Sequence, residues 1–168
     1  MDEIFVEQIV KRKTSVPMIL ARILMIIGVI LITFLMLLMG FGMIAFTVGA
    51  LLIYCVYLFF AYTNVEYEYS FLNGDLTIDK IMGQRKRKTV AEYDIKKAEI
   101  IASSFSDEVI RASHNAKMID YSTGAKSDNL YSMIVFDGKD RMQVVFEPNE
   151  KIINAMYHVR PNIVKINK

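Results

Sequence analysis

The longest feature of the hydrophobic pattern is a run from residue 23 to residue 62 that contains no Asp, Glu, Lys or Arg. A small water-soluble domain cannot bury such a run, whereas two membrane-spanning helices of about 20 residues each account for it. One continuous helix would be about twice as long as the hydrocarbon layer is thick. We therefore predict transmembrane helices over residues 17–39 and 42–62, joined by a turn at Gly40-Phe41-Gly42.

The remainder of the chain, residues 63–168, alternates apolar and polar positions as half-buried strands do. Asn73-Gly74 and Asp137-Gly138 are typical hairpin turns, because a type I′ turn needs positive φ at both central residues. Ser106 begins either a short helix to Ser113 or a loop, and Pro148 opens a C-terminal amphipathic helix that ends before Pro161. The predicted strands are 65–71, 75–82, 85–90, 98–102, 117–122, 130–136 and 141–146. The predicted fold is a membrane α-helical hairpin plus a mainly-β (α+β) roll of six to seven antiparallel strands.

The first 16 residues have a different pattern. Apolar side chains gather on one helical face with acids in the first turn, as an interfacial amphipathic helix requires; they are Ile4, Phe5, Ile9 and Val10, with Asp2 and Glu3. The apolar run that follows is too long for a cleavable signal peptide, so we expect this segment to stay on the mature protein.

Composition narrows the class of protein further. The 168 residues are 54% hydrophobic and carry a net charge of +2, which excludes collagen, coiled coils and wholly disordered chains. Cys55 is the single cysteine, so no intrachain disulfide can form. From residue 63 onward basic and acidic residues are nearly equal in number, which argues against nucleic-acid binding.

Basic residues lie before and after the apolar run but not in the turn between the two predicted helices. Lys11, Arg12 and Lys13 precede it and Lys80 and residues 85–88 follow it, whereas the Gly40–Gly42 turn is uncharged. By the positive-inside rule both termini are cytoplasmic. We therefore predict a two-span, multi-pass protein of the cell membrane, with membrane lipids among its partners.

The same cations are candidates for contact with anionic lipid headgroups, each contributing up to about 1 kcal/mol near the surface. The candidates are Lys11, Arg12, Lys13, Arg85, Lys86, Arg87 and Lys88. For residues 85–88 the alternative is a solvated edge strand, whose lysines discourage pairing between sheets.

Two features within the predicted helices concern packing. Gly42, Ala45 and Gly49 form a small-residue stripe that favours close approach of the first helix or of a second copy. Arg22 is the one charge in the first helix, and we expect it to snorkel toward the cytoplasmic headgroups. A transporter is disfavoured because no second intramembrane charge accompanies Arg22.

Catalytic chemistry has no signature in the chain. It lacks nucleophile motifs and phosphate-binding glycine loops, and His114 and His158 are isolated, whereas a metal site needs several ligands. We predict no enzyme activity and no cofactor.

The sequence from Glu66 to Ile78, EYEYSFLNGDLTI, is similar to the opening hairpin of bacterial pleckstrin-homology-like (PH-like) domains, in which a membrane hairpin commonly leads into strand, turn, strand. Residues 90–100 resemble the segment that enters their next strand, and residues 141–160 resemble their closing strand and helix. The layout over residues 17–160 is similar to a family of small bacterial two-span membrane proteins. The resemblance implies a cytoplasmic PH-like domain with an adaptor role.

We accordingly expect a non-enzymatic membrane protein whose cytoplasmic domain serves protein interaction or self-association, its partner being another protein or its own copies. The alternatives are an anionic-lipid surface sensor that uses strand 85–88 and an accessory subunit of a membrane complex. The copurification of a partner after mild detergent extraction, or salt-sensitive lipid binding, distinguishes them.

Overall fold

The computed structural model describes residues 5–138 and 140–166. The chain divides into two compact units. One, the hairpin unit, contains Thr14–Val65 and Met82–Lys86. The other, the β domain, contains the residues before Thr14, Glu66–Ile81 and the chain from Arg87 onward.

The hairpin unit consists mainly of two helices, α1 over Val16–Leu38 and α2 over Gly42–Thr63. These bounds differ by at most one residue from the predicted 17–39 and 42–62. Gly40 has a φ of 84° in the connecting turn, a left-handed conformation that glycine adopts without a steric penalty. Both helices are long and apolar enough to cross a membrane.

The N-terminal segment is a strand, so the predicted amphipathic helix within residues 1–16 is wrong. Strand β1, Phe5–Lys11, pairs antiparallel with β2, Val65–Leu72, with Lys11 opposite Glu66 and Phe5 opposite Leu72. Side chains of β1 alternate between exposed and covered, and Val10 is buried. Asp2, Glu3 and Ile4 lie outside the described residues. The two apolar helices therefore lie, in sequence, between two paired strands.

The first sheet has the order β1-β2-β3-β4. Strand β3 is Asp75–Met82 and β4 is Lys86–Asp94. The turn between β2 and β3 has φ values of 51° at Asn73 and 111° at Gly74, in agreement with the predicted hairpin turn. Because β1 and β4 end the strand order, both are edge strands of this sheet.

The second sheet has the order β5-β7-β8-β6. Its strands are β5 Ile100–Ser103, β6 Lys117–Asp120, β7 Tyr131–Asp137 and β8 Asp140–Phe146. β6 runs parallel to β8, which corrects the prediction that all strands are antiparallel. The two strands run the same way because β7, which is antiparallel to β8, lies between them in the chain, so that the chain reverses direction twice. A short helix, α3 over Asp107–Ala112, precedes β6.

Both helices of the β domain begin at a polar cap. The Ser106 side chain accepts a hydrogen bond from the Val109 N–H at 3.3 Å, which places a helix rather than a loop there. Asn149 caps the C-terminal helix α4, Glu150–Val159, by accepting from the Ile152 N–H at 2.9 Å. Such caps satisfy N–H groups that have no partner within the helix.

The core of the β domain lies between the sheets and α4. Large side chains from both sheets and from α4 are fully buried there, among them Tyr69, Phe71, Leu76, Met133, Phe146, Ile152 and Met156. The Tyr69 hydroxyl donates to the Tyr121 carbonyl at 2.7 Å, and burial raises the pKa of that hydroxyl above its usual range. The predicted fold class, a mainly-β roll with a C-terminal helix, is confirmed.

Candidate functional site

A groove opens in the β domain where the two sheets are not joined. It has a volume of about 430 Å³ and is bordered on one side by edge strand β4. The other wall comes from the second sheet. The lining residues are Val90, Ala91, Glu92, Tyr93, Asp94, Lys97, Ile119, Tyr121, Val135, Phe136 and Met142.

The floor of the groove is apolar. Ile119 and Met142 are partly covered there, and Val135 is opposite Met142 in the β7–β8 register. Phe136 is opposite Arg141 and therefore on the other face of the sheet, where the Arg141 guanidinium carbon lies 5.2 Å from its ring centroid. Charge is confined to Glu92, Asp94 and Lys97, of which the last two lie 3.9 Å apart as an ion pair. An apolar floor beside a strand edge is the arrangement that receives an extended peptide.

Among the predicted lipid-contacting cations, Arg12 is held inside the β domain. Its Nη1 atom donates to the Tyr67 hydroxyl and to the Asp120 carbonyl, both at 3.1 Å. Its Nη2 atom lies 3.5 Å from an Asp120 carboxylate oxygen. The guanidinium therefore ties the end of β1 to β2 and β6.

Arg87, another candidate, forms ion pairs with two carboxylates on neighbouring strands, Glu68 and Asp79, the second at 3.2 Å. The Glu68 residue is only 6% exposed. Because a buried carboxylate without a partner is costly, the ion pair with Arg87 stabilises Glu68 in its buried position. Asp79 Oδ1 is buried without a hydrogen-bond partner among the described residues.

The other five candidate cations are exposed. Lys11, Lys13 and Lys88 belong to the β domain, whereas Arg85 and Lys86 belong to the hairpin unit. Lys86 Nζ lies 5.6 Å from the centroid of the Tyr62 ring, within the range of a cation–π interaction. All four residues of the run 85–88 are thus exposed, and Arg87 is in addition ion-paired.

In the hairpin unit, the Gly83 turn contacts the end of α2. Gly83 has a φ of 57°, and a Cβ on it would lie 2.6 Å from the Ala61 carbonyl oxygen. Its N–H donates to the Asn64 carbonyl at 3.0 Å. Only glycine allows this approach, and the contact places Arg85 and Lys86 beside the last turns of the helix.

A second pocket, which we call the helix-end pocket, results from that contact. It has a volume of about 210 Å³. Its lining residues are Tyr57, Leu58, Ala61, Tyr62, Met82, Gly83, Arg85 and Lys86.

Arg22 connects the two helices of the hairpin unit. Its Nη2 atom donates to Thr63 Oγ1 at 2.6 Å and to Asn64 Oδ1 at 3.0 Å. The guanidinium carbon lies 5.0 Å from the centroid of the Phe60 ring. A cation at the C-terminus of α2 also interacts favourably with the helix dipole.

Two of the three residues of the small-residue stripe are buried in the structure, and the third is exposed. Ala45 and Gly49 are the buried residues of α2, and a Cβ on Gly49 would lie 3.0 Å from Thr33 Oγ1 of α1. Gly42 is exposed, and nothing would contact a Cβ on it within 4 Å.

Within residues 5–138 and 140–166, no group of three or more His, Cys, Asp and Glu side chains is placed to hold a metal ion.

Two sheets with a C-terminal helix, together with an apolar helical hairpin, define a PH-like domain attached to two candidate membrane helices. The family described as "Bacterial PH-like domain (DUF6106)" matches residues 2–166, and the chain belongs to that family. The predicted resemblance is thereby confirmed. Comparison with curated proteins and with solved structures gives no match.

Sequence reasoning missed the groove, the Gly83 contact and the partners of Arg22. The groove is lined by residues from 90–97 and from 119–142. No local pattern shows that β4 and β6, each at the edge of its own sheet, do not pair with each other. The contact of Gly83 with Ala61 is a tertiary feature that no local pattern shows. Thr63 and Asn64 directly after an apolar run are a signal that could have identified partners for Arg22.

Proposed function

We propose that this chain is a non-catalytic membrane protein whose two helices span the bilayer and hold the PH-like domain at its cytoplasmic face. There the domain binds an extended segment of a protein partner along β4. The groove beside this edge strand is the observation that carries the proposal.

The β1–β2 register supports a double crossing of the membrane. Lys11 lies opposite Glu66, and these residues flank the helical hairpin in sequence, on its two sides. Strands that pair with each other are on one side of a bilayer, so the chain between them crosses an even number of times. Two helices of 23 and 22 residues, about 33–35 Å long, meet that requirement.

The cytoplasmic orientation rests on the basic residues. Lys11, Arg12 and Lys13 on one flank and residues 85–88 beyond the other lie on the same side of the two helices in this topology, and the turn at Gly40 has no charge. Short basic flanks remain in the cytoplasm.

An extended peptide fits the groove better than a helix does. β4 has nine residues and ends its sheet, so its outward N–H and C=O groups can pair with an added strand. Side chains at alternate positions of that strand would face Ile119 and Met142, giving specificity for apolar residues.

Site-specific photocrosslinking in cells tests this proposal. A benzophenone amino acid at Glu92, an exposed residue of β4 that lines the groove, is expected to form an adduct with one segment of a partner. The matched position is Ile110 on α3, which is 57% exposed and where no such adduct is expected.

The crosslinked segment is then synthesised and titrated against the full chain in nanodiscs. Ile119→Ala and Met142→Ala are each expected to weaken its binding roughly tenfold, as for residues at the centre of an interface, whereas Ile110→Ala leaves it unchanged. A segment from a second copy would assign the groove to self-association. Equal adducts at positions 92 and 110, or binding indifferent to both groove variants, would overturn the proposal.

A further inference from the structure

We propose that the helix-end pocket binds the headgroup and glycerol region of an anionic glycerophospholipid. This inference rests on the membrane insertion proposed above and is independent of the groove. It commits to a membrane lipid, rather than a free phosphate compound, as the occupant.

The charge of the hairpin unit favours an anion. Thr14–Val65 and Met82–Lys86 contain Arg22, Arg85 and Lys86 and no Asp or Glu. The described partners of the Arg22 guanidinium are neutral groups, so its positive charge is not cancelled within the unit. Arg87, one residue further, is by contrast paired with acids.

The shape and lining of the pocket favour an amphiphile. Leu58, Ala61 and Met82 provide an apolar wall, while Arg85 and Lys86 provide the cations, and none of the described lining residues is acidic. A phosphate group would pair with the two cations. The glycerol and the first acyl carbons would then contact the apolar wall, which a soluble phosphate compound leaves empty.

The pocket lies at the end of α2, which places it at the depth of the lipid headgroups in the proposed bilayer. The helix is 22 residues, about 33 Å, long, so its last two turns reach the headgroup layer of a bilayer whose hydrocarbon core is about 30 Å thick. Tyr57 and Tyr62, both half exposed, lie in these turns, and tyrosine is enriched at that level.

Native mass spectrometry of the full chain in detergent, titrated with phosphatidylglycerol or phosphatidylcholine, tests the inference. Phosphatidylglycerol is expected to bind preferentially. The double variant Arg85→Gln/Lys86→Gln is expected to weaken its binding roughly tenfold to thirtyfold, since two cations act on one phosphate. The matched control Lys151→Gln/Lys165→Gln removes the same charge from exposed sites on the β domain and should bind as the unmodified chain does.

A charge-neutral variant separates the pocket from simple attraction to a basic surface. Leu58→Trp fills the apolar side without altering a charge, and it is expected to lower phosphatidylglycerol binding as well. Retained tyrosine near-ultraviolet circular dichroism of the β domain and an unchanged elution volume show that each variant is folded.

Three results would overturn the inference. They are equal binding of the two lipids, equal loss in the Lys151/Lys165 control, and displacement of the lipid by millimolar glycerol phosphate, which would show recognition of phosphate alone. Failure of the chain to resist alkaline extraction from membranes would instead refute the proposed insertion, so the two failures are distinguishable.

Discussion

The two units of this protein use apolar side chains in opposite ways. In the β domain, Phe71 and Phe146 are fully buried, whereas in the helices Phe34 and Phe46 are 56% and 68% exposed. The buried residues of α2 are Ala45 and Gly49, and α1 has none. Small residues thus make the helix–helix contact, and the large side chains face outward, where lipid would cover them.

Charges differ between the units as well. In the β domain, Arg12 is paired with Asp120 and Arg87 with Glu68. The hairpin unit carries cations without acids. Contacts within the protein therefore stabilise the β domain, whereas the outward-facing apolar side chains and the cations of the hairpin unit are the groups that the proposed bilayer would cover.

The largest expected effect comes from removing one buried aromatic ring. Phe71→Ala is expected to lower the free energy of unfolding of the β domain by about 3–5 kcal/mol, because it removes apolar contacts and leaves a cavity. Urea unfolding in detergent, followed by tyrosine circular dichroism, measures it. Phe46→Ala on α2 is the control, and it should change that value by less than about 0.5 kcal/mol. Equal losses would mean that the two units do not differ in this way.

A smaller effect is expected within the hairpin unit. Gly49→Leu would force a side chain against Thr33, whose Oγ1 lies 3.0 Å from the position of a Cβ, and overpacking of this kind costs about 1–3 kcal/mol. The midpoint of SDS-induced helix separation should fall accordingly. Gly28→Leu on α1 has nothing within 4 Å and should leave the midpoint near that of the unmodified chain. A larger fall for Gly28→Leu would contradict the observed contact.

The smallest effect concerns a single hydrogen bond in the β domain. Tyr69→Phe removes the donor to the Tyr121 carbonyl and is expected to cost about 1 kcal/mol at neutral pH. The surface variant Tyr157→Phe should cost little.

The pH dependence of this effect has a definite sign. Burial raises the pKa of Tyr69 in the folded state, so above the usual tyrosine pKa of about 10 the unfolded state loses its proton first. This contribution of Tyr69 to stability is therefore complete below about pH 10 and declines above it. The advantage of the unmodified chain over Tyr69→Phe should shrink in urea titrations at alkaline pH, and a growing advantage would contradict the assigned burial.

Much of the fold could be predicted because its signals are local. The apolar run allowed both helices to be placed within one residue, and Asn73-Gly74 marked its turn correctly. β1 was missed because seven residues with Phe5, Ile9 and Val10 fit a helical face as well as an alternating strand. Its partner, β2, lies beyond the whole apolar run, so the pairing that decides the matter is non-local.

The candidate site was harder to predict for the same reason. Which cations form ion pairs depends on strand neighbours, as Arg87 with Glu68 shows. The parallel pairing of β6 with β8, which leaves β4 at an open edge, likewise depends on contacts across the fold. Composition and periodicity predict neither the partners of the cations nor this strand pairing.

The central claim is that the chain crosses the membrane twice, with β1 and β2 on the cytoplasmic side. Labelling of single cysteines tests it most directly, in a chain whose native cysteine is replaced, Cys55→Ala. We predict that Phe41→Cys reacts with an impermeant maleimide in intact cells, and that Lys11→Cys and Lys97→Cys react only in everted vesicles. Labelling of Lys11→Cys from outside, with Lys97→Cys protected, would place β1 and the rest of the β domain on opposite sides and contradict the account.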